Sequence, residues 1–356
     1  MTKLEKLRNK MKEMGVDAVI VLDELNQHYL SEFAFTDGFL LITPAKAYIV
    51  TDFRYYEMAL IGANKSFEVL TPADRTEFLN KALADEGCNV VGFEGGSVSF
   101  DVYHSYCQKH PHLKFENIGQ TIEVIRQIKT PDEIEKMQKA QDITDKAFSH
   151  ILKVINRDMT ELDVAVELEY AMRKNGASAF AFDTISVSGD ASALPHGTPR
   201  NVKLRDGFLT MDFGAKYDGY CSDMTRTIVI GKADAEIKKL YNTVLSAQTA
   251  ALDYLREGAD CGEADKIARD IIDANPEYKG AFGHSLGHSV GLFIHESPRL
   301  YSRGFGRKLR VGEILTVEPG IYLFGKYGCR IEDMVAITEN GIHNFTHSTK
   351  ELIEIE

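Results

Sequence analysis

No tryptophan occurs among the 356 residues, so no indole can line a binding site here. No Cys-x-x-Cys pair occurs either. The five cysteines, Cys88, Cys107, Cys221, Cys261 and Cys329, stand far apart and are odd in number. That pattern argues against a disulfide framework and suits reduced thiols in a cytoplasm. No apolar run nears the ~20 residues that span a bilayer. The opening stretch, MTKLEKLRNKMKEMG, mixes charge with apolar residues, unlike a signal peptide. Positive charge is scarce: 41 Lys and Arg face 53 Asp and Glu, a net charge of -12. A nucleic-acid binder would need a basic stripe, so that class is set aside. GxGxxG, Walker and HExxH signatures are absent, which speaks against dinucleotide, P-loop and zincin chemistry.

What remains is globular material, 44% hydrophobic and 26% charged. The length suits two domains with a core that needs no cross-link. Leu4, Leu7, Met11 and Met14 recur at helical spacing before a stop at Gly15. DAVIVLD (17–23) and NVVGFE (89–94) read as strands, and GFLLIT and AYIVTD flank Pro44-Ala45-Lys46 as a hairpin. At Thr130-Pro131-Asp132-Glu133 a cap, a first-turn proline and a capping-box acid coincide, marking a long helix and a domain boundary. A second box, Thr160 to Asp163, opens a helix ending near Gly176. Further helices are expected over about 235–255 and 262–272, with strands in 207–230 and 311–337. Helices and strands interleave without a βαβ repeat, so the expected class is α+β.

Two strand pairs carry the chemistry. In FLTMDFGAKYDGYCSDMTRTIVI (208–230), a loop centred on Tyr217 and Asp218 sets Asp212 opposite Asp223. In ILTVEPGIYLFGKYGCRIEDMVAIT (314–338), a loop centred on Gly325 sets Glu318 opposite Glu332. Cross-strand Cβ atoms lie roughly 4.5–5.5 Å apart, and like charges there destabilise a sheet. A cation between them removes the conflict. A solvated edge or a raised-pKa pair is the alternative for either hairpin, and a one-residue register slip would spoil the pairing. Hard carboxylates with an imidazole suit Mn, Co, Fe or Zn. Cys221 and Cys329 read as packing residues.

His284, His288 and His295 cluster in FGHSLGHSVGLFIHESPR, where Gly283, Gly287 and Gly291 oppose a regular helix and suggest close backbone approach. Spacing does not choose the ligand among the three. His196, in ALPHGTP, sits in a loop fixed by two prolines, and an ordinary turn histidine is the alternative.

Taken together, LPHGTP, MDFGAKYDGYCSDMTRT, GHSLGHSVGLFIHESPR, TVEPGIY and CRIED resemble the pita-bread metallopeptidases, in that family's order. The first 125 or so residues resemble its creatinase-type N-terminal domain, which methionine aminopeptidases lack. The resemblance implies a creatinase-like domain over 1–127 and a catalytic pita-bread domain over 128–356. It implies metal ligands at Asp212, Asp223, His288, Glu318 and Glu332. His196 and His295 match substrate-contacting histidines, His284 a further active-site histidine, and Arg299 and Arg330 arginines near the site. Phe293 stands where the family often has Asp, so an altered surrounding rather than lost activity is expected.

VTDFRYYEMA (50–59) is similar to the TDxRY stretch of bacterial Xaa-Pro aminopeptidases. The expected function is therefore a two-metal aminopeptidase, manganese foremost with cobalt, zinc or iron as alternatives. It would cut peptides with proline second, using a metal-bridging hydroxide. Glu318 would shuttle the proton, and His196 and His295 would hold substrate and oxyanion. Prolidase, acting on Xaa-Pro dipeptides, is the rival, and Arg299 could serve its substrate's carboxylate. A non-catalytic binding protein on the same fold is a reading of another class, and a metal-free creatinase-like hydrolase a third. The family also implies a homodimer, with neither nucleic acid nor membrane as partner.

Overall fold

The computed structural model describes residues 1–356, which divide into two units, Met1–Arg126 and Gln127–Glu356. In the first, helix Lys3–Met14 opens with a Thr2–Glu5 capping box and closes on Gly15. A mixed six-stranded sheet follows. Its spatial order is Glu68–Leu70, Ala47–Val50, Phe39–Ile42, Ala18–Val21, Val90–Phe93 and Lys114–Asn117. Ala18–Val21 is buried at all four positions, which is why it reads as an unbroken apolar run. VTDFRYYEMA supplies a helix start: Asp52 caps Phe53–Gly62, and Arg54 pairs with Asp52 and Asp37.

In the second unit, helix Pro131–Val154 begins at the expected Thr130–Glu133 box, and Glu161–Lys174 at the Thr160–Asp163 box. Each cap contributes about 1 kcal/mol. Phe148, Ile151, Leu168 and Met172 from this pair pack on Leu209 and Met211 of strand Gly207–Phe213. Helices Ala235–Tyr254 and Cys261–Asp273 cover Leu315, Val317, Val335 and Ile337 of a second sheet. Burying each of these Leu, Ile or Val side chains is worth roughly 1.5–3 kcal/mol. Alternation turns Thr210 and Asp212 away from the Leu209–Met211 face, and Thr227 and Thr225 stand opposite them on Met224–Ile230. The apolar faces meet helices, and Asp212 on the polar face lines a cleft.

The first hairpin corrects the expected register. Asp212 pairs with Thr225, not Asp223. The turn is centred on Asp218-Gly219, one residue later than expected, because Tyr217 pairs with Tyr220. Both turn residues have positive φ, 49° and 82°. Two-residue hairpin turns require this, and Asp-Gly satisfies it. The partner therefore moves by two residues. Asp223 is left in the break before Met224 and still lines the cleft that Asp212 lines.

The second hairpin keeps the expected register. Val317 pairs with Asp333 on one side and Gly320 with Arg330 on the other. Glu318 and Glu332 occupy the break between those pairings, at positions this register makes opposite. The turn holds Gly325 at φ 72°.

Candidate active site

All ten residues singled out above line one cleft of about 780 Å³. The two hairpins supply Asp212, Asp223, Glu318, Arg330 and Glu332. His288 comes from strand Gly287–Ser289, between Glu296–Leu300 and Ile314–Val317. Gly287 permits that packing, since a Cβ there would overlap the Thr316 carbonyl. Gly291 likewise faces the Glu296 carboxylate closely, whereas Gly283 meets nothing.

The ligating atoms of Asp223, His288 and Glu332 lie within 4.8 Å of one another, and all three residues are buried. His288 Nδ1 faces the Ser289 carbonyl at 3.2 Å, which fixes the proton there and leaves Nε2 bare. Nε2 lies 3.5 Å from Asp223 Oδ2 and 3.3 Å from Glu318 Oε1. These gaps are long for charge-assisted hydrogen bonds. They match the roughly 3.4 Å edges of a tetrahedron of ligands about 2.1 Å from an ion. Asp212 Oδ1 is buried without a hydrogen-bond partner. The donor set thus fits divalent cations.

Electrostatics agrees. Burial, followed by Asp212 and Glu318, pushes the Asp223 carboxyl well above its usual range. Burial and Asp223 do the same to Glu332. Burial raises Glu318 to about 8, with Arg330 opposing and Asp212 adding. Burial, then the neighbouring His295, lowers His288 to about 3, so its ring is neutral. Four acids crowded around one point resist ionising together, and a cation among them would let them do so.

Arg330 ties the site together. Its Nη2 donates to Asp212 Oδ2 at 2.6 Å, and its Nη1 to the Tyr322 hydroxyl at 2.8 Å and the Pro195 carbonyl at 3.3 Å. Its Nε donates to Thr225 Oγ1 at 3.0 Å, and that hydroxyl donates to Glu332 Oε2 at 2.7 Å. The Pro195 contact anchors the loop that carries His196, itself exposed.

His284 points its Nε2 to the Tyr322 hydroxyl at 2.9 Å and its Nδ1 to Ser285 O at 2.9 Å. Both nitrogens are engaged there, and its Nδ1 is 4.0 Å from Glu318 Oε2. His295 stands edge-on to His288, ring centroids 4.5 Å apart, and burial lowers its pKa.

Phe293 is 48% exposed and stands outside the cleft lining, its ring centroid 6.3 Å from that of His295. Cys221 and Cys329 are buried. Tyr322, Thr225 and Thr316 were not anticipated, although each bonds a predicted site residue. Thr316 Oγ1 donates to Glu318 Oε1 at 3.0 Å. Thr225 was within reach, since a turn centred on Asp-Gly places it opposite Asp212. Tyr322 and Thr316 carry no signal beyond lying near Glu318.

Comparison with known proteins decides the family. Residues 135–339 match the model of metallopeptidase family M24, and residues 3–128 that of the creatinase/prolidase N-terminal domain. The chain belongs to metallopeptidase family M24. Its fold is therefore a creatinase-type N-terminal domain followed by an M24 pita-bread domain, mixing helices and sheets as an α+β protein. The Xaa-Pro dipeptidase of Pyrococcus horikoshii is 38% identical, over 99% of this chain and 98% of its own. A solved Xaa-Pro dipeptidase from Bacillus anthracis superposes with a TM-score of 0.94 at 39% identity, covering 99% of both chains. The X-Pro aminopeptidase from Thermotoga maritima gives 0.91 at 35% identity, covering 100% of both. This M24 chain is a metallopeptidase. No helix is long and apolar enough to cross a membrane.

Proposed function

We propose that the chain hydrolyses the bond between an N-terminal residue and proline, with Xaa-Pro dipeptides as the first substrate class. Arg299 carries this reading. Its exposed guanidinium lines the cleft, is felt by His288, His295 and Glu318, and has no carboxylate within ion-pair distance. The free carboxylate of a C-terminal proline would supply that partner as a two-pronged pair. The names of the Pyrococcus and Bacillus anthracis relatives point the same way.

Asp212, Asp223, His288, Glu318 and Glu332 would hold two divalent ions, manganese foremost. Such ions supply Lewis acidity toward carbonyl and water. Glu318 Oε1 is taken by Thr316, so Oε2 is the oxygen free to accept a proton from water and return it to the proline nitrogen. Neutral His295 can donate to the developing oxyanion, and His196 to the substrate backbone. Proline lacks the N–H that many peptidases grip, and nothing in these roles needs it. His284 and Arg330 position Tyr322 and Asp212. The same reading takes 1–127 as the creatinase-like domain, 128–356 as the catalytic domain, and the protein as a cytoplasmic homodimer.

The second reading is an Xaa-Pro aminopeptidase, favoured by VTDFRYYEMA and by the name of the Thermotoga relative. Assaying Ala-Pro against Ala-Pro-Ala-amide separates the two. Rapid cleavage of the dipeptide, with KM rising at least tenfold in Arg299→Gln, is expected. Preference for the amide, with Arg299→Gln silent on the dipeptide, would replace the dipeptidase by the aminopeptidase.

A further inference from the structure

Residues 297–312 contain Arg299, Arg303, Arg307, Lys308 and Arg310 and no acid, in a chain of net charge -12. Three of these cations are ion-paired, to two carboxylates. Arg307 and Arg310 share the buried Glu313, and Lys308 pairs with Asp260. Arg299 and Arg303 make no ion pair. Both line a concavity of about 310 Å³, together with Tyr301, Phe305 and Arg307. Arg299 also lines the catalytic cleft, so the two hollows share a wall.

The loop bearing Arg303 is fixed. Gly304 N donates to Tyr301 O at 2.7 Å, and Gly306 N to Asp260 Oδ2 at 2.7 Å. Cys261 N donates to Arg307 O at 3.0 Å. The loop also sits so close to helix Cys261–Asp273 that a Cβ at Gly262 would overlap Phe305. A loop held this way presents Arg303 from a stable base. The aromatic rings of Tyr301 and Phe305 stand 38% and 57% exposed beside it, leaving apolar flanks around a free guanidinium.

We propose that this concavity is a subsite for an anionic residue following the proline, its carboxylate held by Arg303. The proposal rests on the proline-directed reading above, because it places the extra residue beyond Arg299. A carboxylate there would gain a charge-assisted pair with Arg303 and meet no acid in the lining of the concavity. Ala-Pro-Asp is then favoured over Ala-Pro-Lys.

The test compares the two tripeptides in wild type and Arg303→Glu, each with divalent ions added. The readout is KM where the tripeptide is cleaved and Ki against Ala-Pro where it is not. The expected result is about tenfold tighter binding of Ala-Pro-Asp, the scale of one hydrogen bond to a charged group. It should shrink with added salt and reverse in Arg303→Glu. An affinity ratio near one in wild type, or one unchanged in Arg303→Glu, overturns the subsite. If no proline peptide, Ala-Pro included, is turned over, the proline-directed reading fails by itself. Calorimetric binding of Ala-Pro-Asp and Ala-Pro-Lys to both variants then decides the subsite by the same ratio.

Discussion

Arg330 donates to Asp212 Oδ2 at 2.6 Å from inside the protein, with only 4% of its side chain exposed. That one pairing orients the carboxylate whose other oxygen lacks a protein partner. Arg330→Met should strand Asp212 and release Tyr322 and the Pro195 loop. Losing one member of a buried pair costs about 3–5 kcal/mol. Urea unfolding with divalent ions present measures it. A loss below about 1 kcal/mol would show that Arg330 does not hold the site.

The carboxyl groups set the pH response. Glu318, Asp223 and Glu332 have folded-state pKa values raised above their ordinary ones, Glu318 to about 8. The folded state then holds more protons than the unfolded state between the ordinary carboxylate pKa, about 4.3, and the raised one. By linkage, stability falls as pH rises through that window. Protein treated with chelator should therefore melt at lower temperature at pH 8 than at pH 5.5. Added manganese should restore stability most at pH 8. A melting temperature that rises with pH in chelator would contradict the crowding of unbalanced acids.

Gly287 lies where strand Gly287–Ser289 presses on Thr316. In Gly287→Ala the new methyl meets the Thr316 carbonyl, so the strand must shift and carry His288 with it. The expected outcome is a folded chain with lower divalent-ion content by elemental analysis and activity reduced at least a hundredfold. Full metal content with full activity would mean that His288 tolerates the shift.

Lys129, whose side chain is 2% exposed, reaches Glu296 Oε2 and Ser289 Oγ, each at 3.2 Å. Glu296 Oε1 in turn accepts from Phe293 N at 3.2 Å, which ties down the stretch carrying His295. Lys129→Met should destabilise by about 3–5 kcal/mol. Adding Glu296→Gln should recover part of the loss, since the carboxylate that Lys129 faced is then neutral. A double variant no more stable than Lys129→Met would refute the pairing as the source of the loss.

The sequence made the second hairpin legible because Gly325 marks its turn and the apolar alternation fixes its register. The first was legible only to within a turn. A centre at Tyr217-Asp218 leaves out Gly219, whereas Asp218-Gly219 satisfies the positive φ that the turn requires. Asp212 and Asp223 still share the cleft, because a two-residue shift moves the partner without changing its face. His288 could be told from His284 only by resemblance. What separates them is which nitrogen each ring leaves bare, and that depends on Ser289, Ser285 and Tyr322 in three dimensions. The unpaired state of Arg299 is likewise invisible in a linear string, since Arg307 and Arg310 look the same until Glu313 is found between them.

The five proposed ligands are spread from Asp212 to Glu332, on strands that pair only when distant segments meet. Such pairings form slowly compared with local helices. While the chain is being synthesised it offers an incoming ion only part of the set, and the cluster of Asp223, His288 and Glu332 closes only after residue 332 has emerged. Metal choice would then belong to the finished protein, set by the ions present where folding ends rather than where translation begins.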